Sequence, residues 1–164
     1  METLKVLVVS QKGGVGKSTL STNFAAWCGE IKNLSTTIID FDPHASSSTW
    51  INELKPKNVS QKVACSSDFS AQRWFMGART IIRKVESTCD IAIADVTWTK
   101  AMNCDFLSEF DLVIVPTSVS QLDIDATQDF IAKNMKMFKQ PAVGFGNTKF
   151  APALMLAPSM VTND

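Results

Sequence analysis

Residues Ser10 to Thr19, Ser10-Gln11-Lys12-Gly13-Gly14-Val15-Gly16-Lys17-Ser18-Thr19, carry the residue types that cradle a polyphosphate. Gly13, Gly14 and Gly16 free the backbone to turn its N–H groups inward around phosphate oxygens. An apolar run precedes the stretch and a helical pattern follows it, which is the setting a phosphate loop requires. The helix that opens near Lys17 aims its positive dipole end at the same point. In this arrangement Lys17 bridges the β- and γ-phosphates of a nucleoside triphosphate. The Ser18 hydroxyl ligates Mg²⁺, Thr19 reaches the α-phosphate, and Val15 contributes its backbone to the cradle.

Phosphoryl transfer demands positioning and charge neutralisation, with little covalent work for the protein. Two carboxylates spaced two apart at a strand end suit that demand, one facing the metal shell and one an attacking water. Asp40-Phe41-Asp42-Pro43 has this spacing. A second apolar strand, Cys89-Asp90-Ile91-Ala92-Ile93-Ala94, runs into Asp95, which is placed to hold Mg²⁺ through water. His44 sits in the same loop as Asp42 and is assigned no role.

The general phosphate-loop pattern G-x-x-x-x-G-K-[ST] wants glycine at position 11, where this chain has Gln11. Lys12-Gly13-Gly14-Val15-Gly16-Lys17-Ser18 instead resembles the deviant form K-G-G-x-G-K-[ST] of the ParA/MinD ATPases. The resemblance implies that Lys12 reaches across a dimer interface to the partner's nucleotide. Asp40-Phe41-Asp42-Pro43 is similar to that family's D-x-D-P-Q segment, so that Asp42 matches the water-positioning acid and Asp40 lies nearer Mg²⁺. Asp111-Leu112-Val113-Ile114-Val115-Pro116 and Gln121-Leu122-Asp123-Ile124-Asp125-Ala126 also resemble ParA-like proteins of plasmid partition and T-DNA transfer. Asp123 either caps the following helix or borders the interface of the dimer. Asn147 stands where the adenine edge would be read, or forms a turn. The sequence departs from the family after Asp95, where Val96-Thr97-Trp98-Thr99 replaces small residues and prolines. The likeness covers roughly residues 3–147, and family members run on well past this point with strands, part of the adenine pocket and much of the DNA-binding surface.

The elements that must position these groups alternate along the chain. Strands are expected at Leu4–Val9, Thr36–Phe41, Val63–Cys65, Ile91–Ala94, Leu112–Val115 and Ala142–Phe145. Helices are expected at Ser18–Glu30, Ala45–Leu54, Phe69–Val85 and Asp123–Phe138. This alternation predicts an α/β P-loop fold, a parallel sheet with helices on both faces. One domain is expected over 1–164, C-terminally short relative to the resemblance, with the structure of 147–164 open.

Composition narrows the class. Hydrophobic residues at 45% and charged residues at 20% argue for a globular core rather than disorder. The formal net charge is zero, so a nucleic-acid surface has to be a local patch. Arg73, Arg79, Arg83 and Lys84 form one basic cluster and Lys133, Lys136 and Lys139 another. No apolar run is long enough to span a membrane, and Met1 to Val9 has no signal-peptide plan. The four widely spaced cysteines read as free thiols of a cytoplasmic protein. The resemblance implies slow ATP hydrolysis, ATP-dependent homodimers, nonspecific DNA binding on the nucleoid and a ParB-type adaptor. Two other functions compete: an ATP-binding interaction protein without hydrolysis, and a MinD-like membrane-cycling ATPase. The latter needs a basic amphipathic C-terminal helix, whereas Ala151 to Asp164 contains two prolines and no basic residue.

Overall fold

Val6, Leu7, Val8 and Val9 are all buried, which tells why the first apolar run does not alternate: both of its faces meet helices. In a computed structural model this run is strand β1 (Leu4–Ser10). The structure describes residues 2–64, 71–100, 102–139, 142–144, 147–149 and 151–159. After β1 come α1 (Lys17–Ala26), a π-helical turn (Trp27–Ile31), β2 (Thr36–Asp40), α2 (Ser46–Leu54) and β3 (Val59–Val63). Then follow α3 (Ala71–Val85), β4 (Ile91–Thr97), a 3₁₀ turn (Cys104–Glu109), β5 (Leu112–Thr117) and α4 (Gln121–Lys139). Three short strands follow, β6 (Ala142–Gly144), β7 (Asn147–Lys149) and β8 (Ala153–Pro158).

Six strands form one sheet in the order β3-β2-β4-β1-β5-β8, and every neighbouring pair is parallel. Alternate residues of β1 divide the core in two. Val6 and Val8 pack with Ala25, Cys28 and Ile51 of the α1–α2 layer. Leu7 and Val9 pack on the other side with Ala78, Ile82, Phe106 and Phe130, beneath α3, the 3₁₀ turn and α4. On that side Phe106 meets Phe41, Trp74, Phe75 and Phe110 edge to face, a ring cluster that ties the loop after β2 to α3.

The expected alternation and the P-loop-type α/β fold hold, with three differences. The third strand lies at Val59–Val63 rather than Val63–Cys65; Thr36 to Asp40 pairs with it, and Cys65 lies outside the described residues. Ala142–Gly144 does form a strand, but it pairs antiparallel with Asn147–Lys149, apart from the main sheet. The place beside β5 goes instead to β8, within the stretch whose period predicts no element. On the α1 side, Gly29 lets the π turn close onto the next layer. A Cβ there would lie 2.3 Å from the Lys57 carbonyl oxygen and 2.6 Å from Val59 Cγ2.

Candidate functional site

The loop between β1 and α1 crosses the end of the central strand, where β2 and β4 also terminate. Gly14 and Gly16 have φ of +83° and +81°, a conformation that side chains rarely adopt, so the glycines here are required by the backbone path. Gly16 is the N-cap of α1 and offers no side chain to cap it, leaving the first-turn N–H groups directed into the loop. Ser10, the last residue of β1, donates from its hydroxyl to the Lys12 carbonyl at 2.8 Å and braces the start of the turn. Val15 is buried and its carbonyl accepts the Ser159 hydroxyl at 2.6 Å. Gly13 and Thr19 are exposed, and Ser18 is half-buried.

Lys17 is buried, and its ammonium stands between two of the expected acids. It donates to Asp95 Oδ1 at 2.5 Å and lies 3.5 Å from Asp42 Oδ2. Asp95 faces Val8 on β1 and Asp40, the last residue of β2, across the two adjoining strands. The structure therefore brings Lys17, Asp42 and Asp95 together at one end of the sheet, beside Ser18.

Asp42 is held from both sides. Its Oδ2 accepts the Thr97 hydroxyl at 2.6 Å, and its Oδ1 accepts the His44 N–H at 3.1 Å. Partial burial works against its charged form, but the Thr97 and His44 hydrogen bonds, with the Lys17 charge, outweigh that and hold the carboxyl below the usual carboxylate range. Asp40 is fully buried one layer deeper. Its Oδ1 accepts the Asp42 N–H at 3.0 Å, and its Oδ2 accepts the Ser47 hydroxyl at 2.6 Å and the Ser48 N–H at 2.9 Å. Expected beside Mg²⁺, Asp40 thus also takes up a first-turn N–H of α2 and fixes the backbone that carries Asp42.

Asp95 Oδ2 is buried and has no hydrogen-bond partner among the described residues. Such an orphaned carboxylate oxygen fits a hydrated cation. Charge agrees, since Asp40, Asp42 and Asp95 set three carboxylates against the one ammonium of Lys17. Mg²⁺ keeps most of its waters and asks the protein for few direct ligands, so the Ser18 hydroxyl with Asp95 behind a water is a sufficient donor set.

Lys12 is exposed on the outer lip of the loop. Across from it, Asp123 sits in the first turn of α4, where its N–H donates to Ser120 Oγ at 3.2 Å and its carboxylate accepts the Ser118 and Ser120 hydroxyls. Those hydroxyls, with the charge of Lys12, hold the Asp123 carboxyl below its ordinary value. The hydroxyl that caps the start of α4 is that of Ser120, and Asp123, expected as the cap, instead lies inside the first turn and braces that serine. Asn147 stands opposite Gly144 in the short hairpin, and its side chain lies outside the described part of the structure.

Two residues that sequence reasoning misses belong to this site. Thr97 is the last residue of β4, and Ser159 follows β8. Neither has a local signal: Thr97 meets Asp42 across 55 positions, and Ser159 meets Val15 across 144. The basic clusters are less free than their charges imply. Arg79 pairs with Glu109 at 2.8 Å and Lys133 with Asp129 at 2.5 Å, while Arg83, Lys84, Lys136 and Lys139 are exposed. The Arg73 side chain lies outside the described part. No helix among the described residues is long and apolar enough to cross a membrane. Residues 153–158 form a strand.

Comparison with known proteins agrees with this geometry. The family model of the CobQ/CobB/MinD/ParA nucleotide binding domain matches residues 6–159. No curated protein matches the sequence. Among solved structures, a plasmid partition protein from Borrelia burgdorferi superposes with a TM-score of 0.72 at 16% identity, over 100% of this chain and 81% of that one. The Mycobacterium smegmatis cobyrinic acid a,c-diamide synthase with bound ADP and magnesium gives 0.69 at 16% identity, over 95% and 74%. The septum site-determining protein MinD of Pyrococcus horikoshii, complexed with Mg-ADP, gives 0.57 at 14% identity, over 93% and 68%. Identities this low speak to the fold alone.

Proposed function

The chain belongs to the CobQ/CobB/MinD/ParA nucleotide-binding domain family, and from that premise we propose that it binds ATP with Mg²⁺, hydrolyses it slowly and couples the nucleotide to self-association. The observation that carries this reading is Lys17, buried at the mouth of the glycine loop between Asp95 and Asp42.

Residues 1–164 act as one domain in this reading. Gly13, Gly14, Val15 and Gly16 wrap the β-phosphate, Lys17 meets the β- and γ-phosphates, and Thr19 meets the α-phosphate. Asn147 is the candidate for the adenine edge. Ser18 and Asp95, with Asp40 below them, hold the Mg²⁺, which supplies charge neutralisation at the phosphates when bound. Asp42, kept ionised by its hydrogen bonds, orients the attacking water and accepts its proton. Lys12 points its charge away from its own loop, toward the phosphates of a second subunit in an ATP-bound dimer, as an arginine finger does in trans.

The use of this cycle is DNA positioning of the ParA kind, on plasmid or chromosome, with a DNA-bound adaptor of the ParB type and a nucleoid-associated cytoplasmic location. The fold shared with a plasmid partition protein supports it, and Arg83, Lys84, Lys136 and Lys139 supply exposed cations for phosphate contacts.

Three measurements separate the parts. Calorimetric titration with Mg-ATP tests the site; no binding to the folded protein refutes it. Phosphate release tests hydrolysis; binding without release leaves an ATP-binding interaction protein. An electrophoretic shift with ATP at low salt, fading steeply as salt rises, is the expected DNA result. A shift that is absent or indifferent to salt removes DNA from the reading.

A further inference from the structure

The segment Val96-Thr97-Trp98-Thr99, at and just beyond the end of β4, places a hydroxyl on the acid of the site. Resting on the proposed hydrolysis, we propose that Thr97 is a positioning residue: its hydroxyl, 2.6 Å from Asp42 Oδ2, fixes the carboxylate that orients the attacking water.

Asp42 lies in the loop beyond β2, off the sheet. Its Oδ1 is pinned from one side by the His44 N–H, a contact within the same loop that moves with it. Thr97 pins Oδ2 from a different element. It is the last residue of β4 and faces Ser10 in register on the central strand. The next residue, Trp98, donates its N–H to the Ser10 carbonyl at 2.8 Å and is buried with its ring 5.4 Å from that of Phe130. The hydroxyl therefore sits on a rigid support, which is what a carboxylate on a loop needs to hold one orientation.

Lys17 also faces Asp42 Oδ2, but at 3.5 Å. When Lys17 turns to the phosphates, that contact lengthens further, and the Thr97 hydrogen bond carries more of the orientation. In the reaction, the water oxygen bonds to the γ-phosphorus as the bond from that phosphorus to the β,γ-bridging oxygen breaks. The electron pair leaves with ADP, and Asp42 accepts the water proton. A threonine hydroxyl that donates to Asp42 still has lone pairs, so the same water has a second anchor beside the carboxylate.

The test compares the full-length chain with Thr97→Val and Thr97→Ser. Valine keeps the shape and strand preference of threonine without the hydroxyl, and serine keeps the hydroxyl. In Thr97→Val, kcat falls roughly ten- to a hundredfold, the cost of a misplaced catalytic group. KM and the calorimetric Kd for Mg-ATP stay within about twofold, because the lost contact acts in the reaction and not in binding. Thr97→Ser recovers the rate to within about threefold of the wild type. A crystal structure of Thr97→Val shows the Asp42 carboxylate turned away from the tip of β4. Wild-type kcat in Thr97→Val, equal loss in the serine variant, or an unmoved carboxylate in the valine structure overturns the proposal. A wild-type chain that binds no Mg-ATP sinks the reading of the site instead, and the position of Asp42 in the Thr97→Val crystal then decides the role of Thr97 by itself.

Discussion

Replacing Lys17 by methionine tests the electrostatic construction of the site before any nucleotide is added. The side chains of Lys17 and Asp95 are 8% and 0% exposed and meet at 2.5 Å. Methionine keeps most of the stem and deletes the charge. Asp95 Oδ2 already has no partner among the described residues, so the change leaves the buried carboxylate without its cation. Removing one member of a buried ion pair costs about 3–5 kcal/mol. The site opens to water near Asp42, which points to the low end, about 3 kcal/mol. For a domain of this size each kcal/mol moves Tm by about 2–4 °C, so the melting temperature falls by roughly 6–12 °C. Scanning calorimetry of the nucleotide-free protein measures this. A cycle with Asp95→Asn isolates the pair: the double variant should recover at least about 1.5 kcal/mol over the sum of the singles. If Lys17→Met melts within about 1 °C of the wild type, or the coupling is nil, the ion pair is not what holds this corner together. The result also governs the nucleotide assay, since loss of ATP binding by a Lys17 variant is informative only on folded protein.

Lys12→Ala should leave monomer affinity for Mg-ATP within about twofold while abolishing ATP-dependent dimerisation in light scattering; dimerisation at the wild-type level reduces Lys12 to a surface cation. Gly29→Ala drives a Cβ into the Lys57 carbonyl and Val59 Cγ2, an overpacking cost of about 2 kcal/mol, and denaturant titration should show it as a lower midpoint with unchanged slope. The Asp42 carboxyl is held below its ordinary value, so its contribution to stability is complete above the unfolded pKa of about 3.9 and disappears as pH falls through the lower folded value. Turnover should accordingly stay level from about pH 7 to about pH 5, and a rate that drops across this window on folded protein contradicts the assignment of Asp42 as the proton acceptor.

The parts of the site visible in the sequence are those whose geometry is local. A strand, a glycine loop and a helix in succession determine where Lys17 and Ser18 stand, and an apolar run ending in an acid determines Asp95. Asp123 is legible as an acid at a helix start, but the cap itself is Ser120, whose hydroxyl accepts the Asp123 N–H from inside the first turn. Asp40 is legible as an acid at a strand end, but its bonds to Ser47 and Ser48 depend on how α2 returns over the loop. Thr97 and Ser159 become visible only in three dimensions, because parallel strands bring together residues that no spacing rule connects. The same limit explains β8. Ala153 to Pro158 is a short apolar stretch bounded by prolines, a pattern shared by loops and edge strands. Its pairing with Leu112 to Thr117 supplies the hydrogen bonds that make it a strand.

The sheet order has a consequence for how the chain acquires its structure. β1 is synthesised before either of its partners, yet it lies between them: Leu4 pairs with Ile91, and Val6 with Leu112. This buried apolar strand therefore waits, unpaired, until β4 and β5 have been made, and loop closure over such distances is slow. The glycine loop waits longer still, because its Val15 carbonyl is met by Ser159, which follows β8. During synthesis β1 is a segment for a holding chaperone to cover. Nascent chains arrested before β8 should expose β1 to proteolysis and lack the final brace on the loop, so nucleotide competence emerges late rather than growing in step with length.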